Sequence, residues 1–453
     1  MAEPARVEAL ADGVPGGGPG PETDPADARD LASRGQRSPR WSPLTRLLFR
    51  FTFAYLVLYN VPFPLEYVPF AEKLVGPYGE LWNKLVPWVG KRVFGVAITV
   101  QPNGSGDTTW NYVQVFCLLV IAAAVTIVWT LLDRKRASYP RLYDGLRVYI
   151  RFALAAAMIG YGAFKVIQSQ FPASPFERLM QPFGDFSPMG ILWAFMGASA
   201  SYNVFAGLAE MIPGLLLTAR RTALLGALLS IAVMSNVVML NFSYDVPVKL
   251  YSCHLLAMGL FLIAADLRRL AGLFLFGRAV EPAAYRPLWR GTWFRHGALV
   301  LRTVLVLLCV GFYLNFSYDN RREYGDYASP GSPLHGIWNV EELTAAGKVP
   351  EGERWRRVIF GYPGSIGIQM SDDSRRRYAL KIDPKAKTMT LTRRDDPKAK
   401  TVLAYTHPAP ELLTLQGTFE KRQIGARLRR IEKPAFLLTS RGFHWINEYP
   451  FNH

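Results

Sequence analysis

Glu210 lies in the apolar run "NVFAGLAEMIPGLLL", with Ala206, Gly207 and Ala209 before it and Pro213-Gly214 after it. A carboxylate in such a setting has two chemical uses: it holds or passes a proton, or it helps to orient a polar ligand. Its plain alternative is a structural ion pair. The cation that suits it is Lys165, in "GYGAFKVIQSQFP", which belongs to the same half of the apolar region. Glu210 is then either protonated or paired with Lys165. Lys165 has an alternative of its own, because a four-carbon stem lets its ammonium snorkel to the lipid headgroups. Arg151, one turn into the same run at its other end, reads as snorkelling too.

A second group comes from a repeat. "LNFSYD" occurs at 240–245 and again at 314–319, each time closing a long apolar run. Tyr244 and Tyr318 suit the headgroup layer, and Asn241 and Asn315 can satisfy carbonyls left open at a helix end. Asp245 and Asp319 sit at the negative end of the helix dipole, so they call for nearby cations. Lys249 follows the first copy, and Arg321 and Arg322 follow the second. If the two copies face each other they form a polar ring; if not, they are two similar interfacial boundaries. His254, one turn into the next run, falls just below them, as a hydrogen-bonded packing residue or a proton carrier.

The composition says what must hold these residues. Of 453 residues, 50% are hydrophobic and 19% charged, and the apolar ones are clustered. Lys and Arg exceed Asp and Glu by 52 − 35 = 17, largely in short loops beside apolar runs. That distribution reads as membrane orientation, and no nucleic acid partner is needed. Cys117, Cys253 and Cys309 all fall in apolar stretches, without metal-type spacing, so neither a disulfide framework nor a zinc site is expected. Residues 1–40 are rich in Gly, Pro and acids and read as a disordered tail.

A span needs about 20 mostly apolar residues. Seven stretches qualify: 44–62, 112–132, 148–167, 202–219, 222–241, 250–266 and 297–315. "PMGILWAFMGAS" at 188–199 is too short and reads as interfacial or re-entrant. The loop at 63–111 carries one or two amphipathic helices, followed by the turn "NGSG". Arg134, Lys135, Arg136, Arg141 and Arg147 follow the second span, Arg220 and Arg221 the fourth, and six arginines the sixth. The positive-inside bias therefore puts the amino terminus in the cytoplasm and everything after the seventh span outside.

From about residue 335 the period changes to two. Runs such as "GIWNVEEL", "RWRRVIFGY", "SIGIQMS" and "AFLLTS" read as eight or nine short strands of an antiparallel barrel or sandwich. "DPKAKT" occurs twice between runs, as a turn. The final "RGFHWINEYPFNH" is dense in aromatic and imidazole groups; it packs against the β domain or the outer mouth, or else anchors at the interface. The expected fold is thus an α-helical polytopic membrane bundle over 41–320, plus a C-terminal all-β domain over 335–453.

The stretch 147–270 resembles the DoxX-like family of integral membrane proteins. The resemblance rests on "RVYIRFALAAAMIGYGAFKVI", with its Gly-x-x-Lys, on "GLAEMIPGLLLTARRTALLGALLSIAVM", and on "VKLYSCHLLAMGLFLIAADLRRL". It implies a four-helix core, and some of its members are linked to quinone-dependent oxidation of sulfur compounds or to terminal oxidases. "GIWNV" also has a Gly-x-Trp similar to that of lipocalin-like barrels. No Walker loop, Rossmann glycine pattern or nucleophile elbow is present. Three readings follow. The first is a quinone- or lipid-binding redox accessory component, with Lys165, Glu210, Asn241, Tyr244, Asp245, Lys249, His254, Asn315, Tyr318 and Asp319 as candidate binding residues and membrane lipids, quinone or a redox protein as partners. The others are a non-catalytic scaffold whose β domain holds a partner, and a small-molecule transporter.

Overall fold

The computed structural model describes residues 40–68, 71–100, 104–281, 292–324, 334–347, 349–361, 364–393, 396, 398–431 and 436–452. The expected tail at 1–40, except its last residue, and much of the basic loop after the sixth span lie outside these residues. Among the described residues, seven helical segments are long and apolar enough to cross a membrane: Pro43–Tyr67, Thr109–Leu132, Pro140–Val166, Ala200–Thr218, Ala223–Ser243, Lys249–Phe274 and His296–Arg322. A closed eight-stranded antiparallel β-barrel follows them.

Local chemistry sets the helix ends. Helix α1 (Pro43–Asn60) starts with Ser42 accepting the Thr45 amide and with Pro43 in its first turn. After it, α2 (Glu72–Val93) is a single 22-residue helix. Its Trp82, Val86 and Val89, spaced for one face, are buried against Val113, Cys117 and Leu118 of α3 (Thr109–Leu132). A Thr108–Asn111 capping box opens α3. The remaining helices are α4 (Pro140–Val166), the short α5 (Phe176–Leu179), α6 (Pro188–Ala198), α7 (Ala200–Thr218), α8 (Ala223–Ser243), α9 (Lys249–Ile263), α10 (Leu267–Phe274) and α11 (Thr292–Tyr324). The centre is α4, whose Ile150, Leu154, Met158 and Ile159 are fully enclosed. The 11-residue α6 packs through Leu192 and Met196 on Phe171 and Val246.

Contacts sort the connections into two ends of the bundle. At one end Trp41 bonds to Ala137, Arg46 to Arg136, and Arg147 to Asp266. At the other, Gly106 bonds to Pro247, Phe171 packs with Val246, and Phe176 meets His335 of the barrel. The segments after the first, third, fifth and seventh spans therefore share one end, as alternating crossings require.

The strands are β1 (Gly336–Ala345), β2 (Trp355–Phe360), β3 (Ser365–Met370), β4 (Arg375–Asp383), β5 (Thr388–Arg393), β6 (Lys400–Ala409), β7 (Leu412–Phe419) and β8 (Arg422–Arg430). Each pairs with its neighbour, and β8 closes on β1 with Trp338 opposite Arg430. Inward residues including Trp338, Val358, Ile366, Leu391, Leu403 and Leu428 fill the interior. Strand β3 is buried on both faces: Ile366, Ile368 and Met370 inside, Ser365, Gly367 and Gln369 outside. The outer face is covered in part by Glu177 of α5, whose carboxylate lies against Gly367 and 3.8 Å from Arg377. One expected strand is a correction: "AFLLTS" contributes the helical turn α12 (Leu437–Ser440) with exposed leucines, because no neighbouring strand remains for it once β8 has paired with β1.

Candidate functional site

Helices α4 and α7 cross where neither has a side chain. A Cβ on Gly162 would lie 2.6 Å from the Gly207 carbonyl oxygen, and one on Gly207 would lie 2.7 Å from that of Gly162. Such backbone contact is how small residues join helices in lipid. Side chains on a helix lean toward its amino terminus. Lys165 and Glu210, each three residues beyond its glycine on these antiparallel helices, therefore lean back toward the same level and meet. Their Nζ–Oε2 distance is 2.7 Å and both are buried. The snorkelling alternative for Lys165 is thereby overturned: the glycine contact brings a carboxylate within reach, and an ion pair inside the bundle replaces the headgroups. Arg151 rests its guanidinium carbon 5.0 Å from the Phe152 ring.

The pair opens a row of polar aromatic groups. The Lys165 ammonium lies 5.5 Å from the Tyr161 ring and 5.8 Å from that of Phe171. Tyr161 meets Tyr251 of α9 at 5.9 Å. Three residues on, His254 stacks on Tyr59 at 3.9 Å with nearly parallel rings. Its Nδ1 is 2.6 Å from the Leu250 carbonyl and its Nε2 is 2.6 Å from the Tyr55 hydroxyl. The network assigns Nδ1–H as donor and Nε2 as acceptor. His254 is hydrogen-bonded and packed, and it belongs to a row running from Glu210 to Tyr55. Beside that row, Tyr313 of α11 lies over Gly160 and shares a 2.6 Å hydrogen bond with Tyr67.

The two hexapeptide copies do not make a ring. Asn241 is buried and donates to Ser252 Oγ at 3.0 Å and to the Val248 carbonyl. Tyr244 packs partly buried among Leu192 and Val246. Asp245 has a left-handed φ of 50° and an exposed carboxylate that meets Lys249 at 2.8 Å. In the second copy, within α11, Asn315 donates to Asp319 at 3.0 Å and Tyr318 is exposed. The cation expected beside Asp319 is replaced by this amide one turn back, while Arg321 donates to the Ile167 carbonyl at 2.9 Å. The first copy is satisfied by the start of the next helix, α9, and the second within α11, so neither serves as the other's partner.

Several residues that matter carry no local signal. Asp107 accepts the backbone amides of Lys249 and Leu250 at 2.7 and 2.9 Å, capping α9 from 142 residues away in the chain, and lies 3.9 Å from the Lys249 ammonium. Arg50 is buried at the opposite end of the bundle, donating to the Tyr139 hydroxyl, Thr130 Oγ1 and the Asp133 carbonyl. Tyr55 and Tyr59 had a clue, since their four-residue spacing puts two polar rings on one face of a span. Among the described residues no cluster of His, Cys, Asp or Glu is arranged for a metal ion.

The barrel has a cavity of about 130 Å³ at the end where β7 turns into β8. Trp355, Met370 and Phe419 line it, with Glu353, Arg376, Glu420 and Arg422 around them. The charged residues pair as Arg376–Glu420 at 2.5 Å and Arg422–Glu353 at 2.9 Å.

No family model matches the chain, and no solved structure matches it. Over 124 residues it is 34% identical to the uncharacterized protein YwoB of Bacillus subtilis (strain 168), a stretch amounting to 27% of this chain and 79% of YwoB. At that identity over most of the relative, the chain belongs to the family of YwoB, with most of its own length lying beyond the matched stretch.

Proposed function

We propose that this protein is a DoxX-like component of a bacterial cytoplasmic membrane that binds a quinone or similar lipophilic headgroup in the bundle and serves a redox system. The observation that carries the reading is the buried Lys165–Glu210 pair at the head of the Tyr161, Tyr251, His254 and Tyr55 row. An ionised pair inside lipid is costly, and the row offers hydroxyl, imidazole and ammonium groups in a sheltered setting. Such groups hold carbonyl oxygens and exchange protons with them. In this reading Glu210 and Lys165 are the proton-holding end, and His254 with Tyr55 is the hydrogen-bonding end.

The amino terminus is cytoplasmic and the barrel extracytoplasmic. The arginines at 134–147, 220–221 and 268–278 gather at the end opposite the barrel, which supports this orientation. Native-membrane purification followed by solvent extraction and absorbance tests the binding. Quinone should copurify with the wild type and be lost from Glu210→Gln; equal amounts of quinone in both would end the proposal. A periplasm-dependent reporter fused after residue 330 should be active.

The cavity at the β7–β8 end supports a second reading, in which the protein is a scaffold whose β domain holds a ligand or partner. Full activity in Glu210→Gln, with loss on deleting 335–453, would select it.

A further inference from the structure

The last 17 residues in view are unlike the rest of the β domain. Leu437, Leu438, Phe443, Trp445, Ile446 and Tyr449 are all exposed, Trp445 by 90%. Neither the barrel nor the outer mouth covers these side chains, so the packing expected of "RGFHWINEYPFNH" is not what the fold builds. In water such a density of bare apolar side chains marks a surface that something else occupies.

The chain's course indicates the occupant. Strand β8 ends beside the start of β1: Arg430 donates to the His335 carbonyl at 2.6 Å, and the Ile431 amide bonds to Ile337 at 2.8 Å. His335 in turn packs on Phe176, in the segment that leaves the third span at Val166. The barrel therefore releases its tail at the end where the chain arrives from the bundle. Phe176 stands ten residues beyond Val166, so no more than about 35 Å of extended chain separates that end from the helix terminus. Leu437 is six residues past Ile431, a reach of about 20 Å. The side chains also match a headgroup layer: Trp and Tyr with an apolar body and a polar tip, aliphatic residues between them, and Arg441 near the start. The domain from 335 onward carries 21 Lys and Arg against 13 Asp and Glu, which favours an anionic lipid surface.

We infer that residues Leu437–Phe451 are an interfacial anchor that lays their aromatic and aliphatic side chains into the headgroup region of the same bilayer the bundle spans. The anchor holds the barrel to the membrane at a further point, besides the helix α11 that leads into it and the seat of Glu177 on β3. The inference rests on the tail's exposure and course and is independent of any bound quinone.

The test uses full-length protein in phosphatidylcholine–phosphatidylglycerol vesicles. Emission from Trp445 is isolated as the difference between wild type and Trp445→Phe. An anchored Trp445 gives a blue-shifted difference spectrum that loses most of its intensity in lipids brominated near the headgroups and is insensitive to aqueous iodide. Quenching by iodide with no response to bromolipid means a tail in water and overturns the inference. Insensitivity to both, or a signal that changes with protein density in the vesicle, means burial on the barrel or on a second copy and overturns it equally. Leu438→Asp with Ile446→Asp in one chain, which touches no core residue, should shift the difference spectrum to that of exposed tryptophan.

Discussion

The Lys165–Glu210 pair is a case in which deleting one charge is worse than deleting both. Removing either partner strands the other inside the bundle, at a cost of about 3–5 kcal/mol, whereas replacing both with apolar residues of similar volume costs far less. Lys165→Met and Glu210→Leu should each lower the thermal midpoint in detergent, and the double variant should recover most of the loss. Additive losses would mean that the two charges do not interact. A different residue sets a pH limit on the barrel. Burial, followed by the nearby Glu420 carboxylate, pushes the Tyr378 hydroxyl up to about 12, and its proton is donated to Glu420 at 3.1 Å. Because the folded value exceeds the ordinary value of 10.0, the contribution is complete below pH 10 and is lost as pH rises through about 12. Tyr378→Phe should flatten that part of the alkaline unfolding curve, followed by near-ultraviolet circular dichroism of the full chain. An unchanged curve would show that Tyr378 does not drive it.

At the scale of elements, the crossing of α4 and α7 and the cap on α9 show what a sequence can and cannot disclose. Glu210 among small residues announced a close helix contact, but whether it was protonated or paired with Lys165 stayed open, because Lys165 also read as snorkelling to the headgroups. That Gly162 and Gly207 are the contact depends on a distance, and the three-residue offset gains meaning only once they touch. Gly207→Ala puts a carbon 2.7 Å from the Gly162 oxygen and 2.8 Å from the Val166 amide, with no flexible tip to yield. The helices must separate, and the variant should lose folded yield as severely as Glu210→Leu; near-normal yield would mean that the helices are not this close. Asp107 left no such trace, since its two amide partners, Lys249 and Leu250, lie 142 and 143 residues further along the chain. Asp107→Ala should cost about 0.5–2 kcal/mol, the usual worth of a helix cap, and should raise amide exchange in the first turn of α9 alone. Of the two readings the repeated hexapeptide allowed, a shared polar ring and two similar boundaries, the ring is the one that fails. Asp245 turns to Lys249 at the start of α9, and Asp319 to Asn315 within α11.

At the scale of the molecule, the bundle and the barrel were legible because each is written in a period. Long apolar runs report seven spans, and alternation from about residue 335 reports strands. Their docking is written in neither. Glu177 sits in a short helix whose sequence "FERL" reads as ordinary loop, yet it is buried against Gly361 and Gly367. Two glycines on outward positions of the barrel wall make the hollow, and Arg375 and Arg377 bring cations to its rim, Arg375 also donating to the Glu177 carbonyl at 3.4 Å. Burial holds Arg375 below the usual guanidinium range, with the like charge of Arg377 adding to it. The hollow is therefore a place where a carboxylate is wanted. Gly367→Val would put its Cβ 3.2 Å from the Glu177 side chain and add two methyl groups beyond it, while leaving the inward residues Ile366 and Ile368 untouched. Hydrogen exchange should then rise in residues 173–186 and stay low in β6–β8, because the barrel closes through its own strands and only its seat on the membrane loop is lost. Faster exchange throughout the barrel would mean that the seat is part of the barrel's own stability, and that the two bodies fold as one.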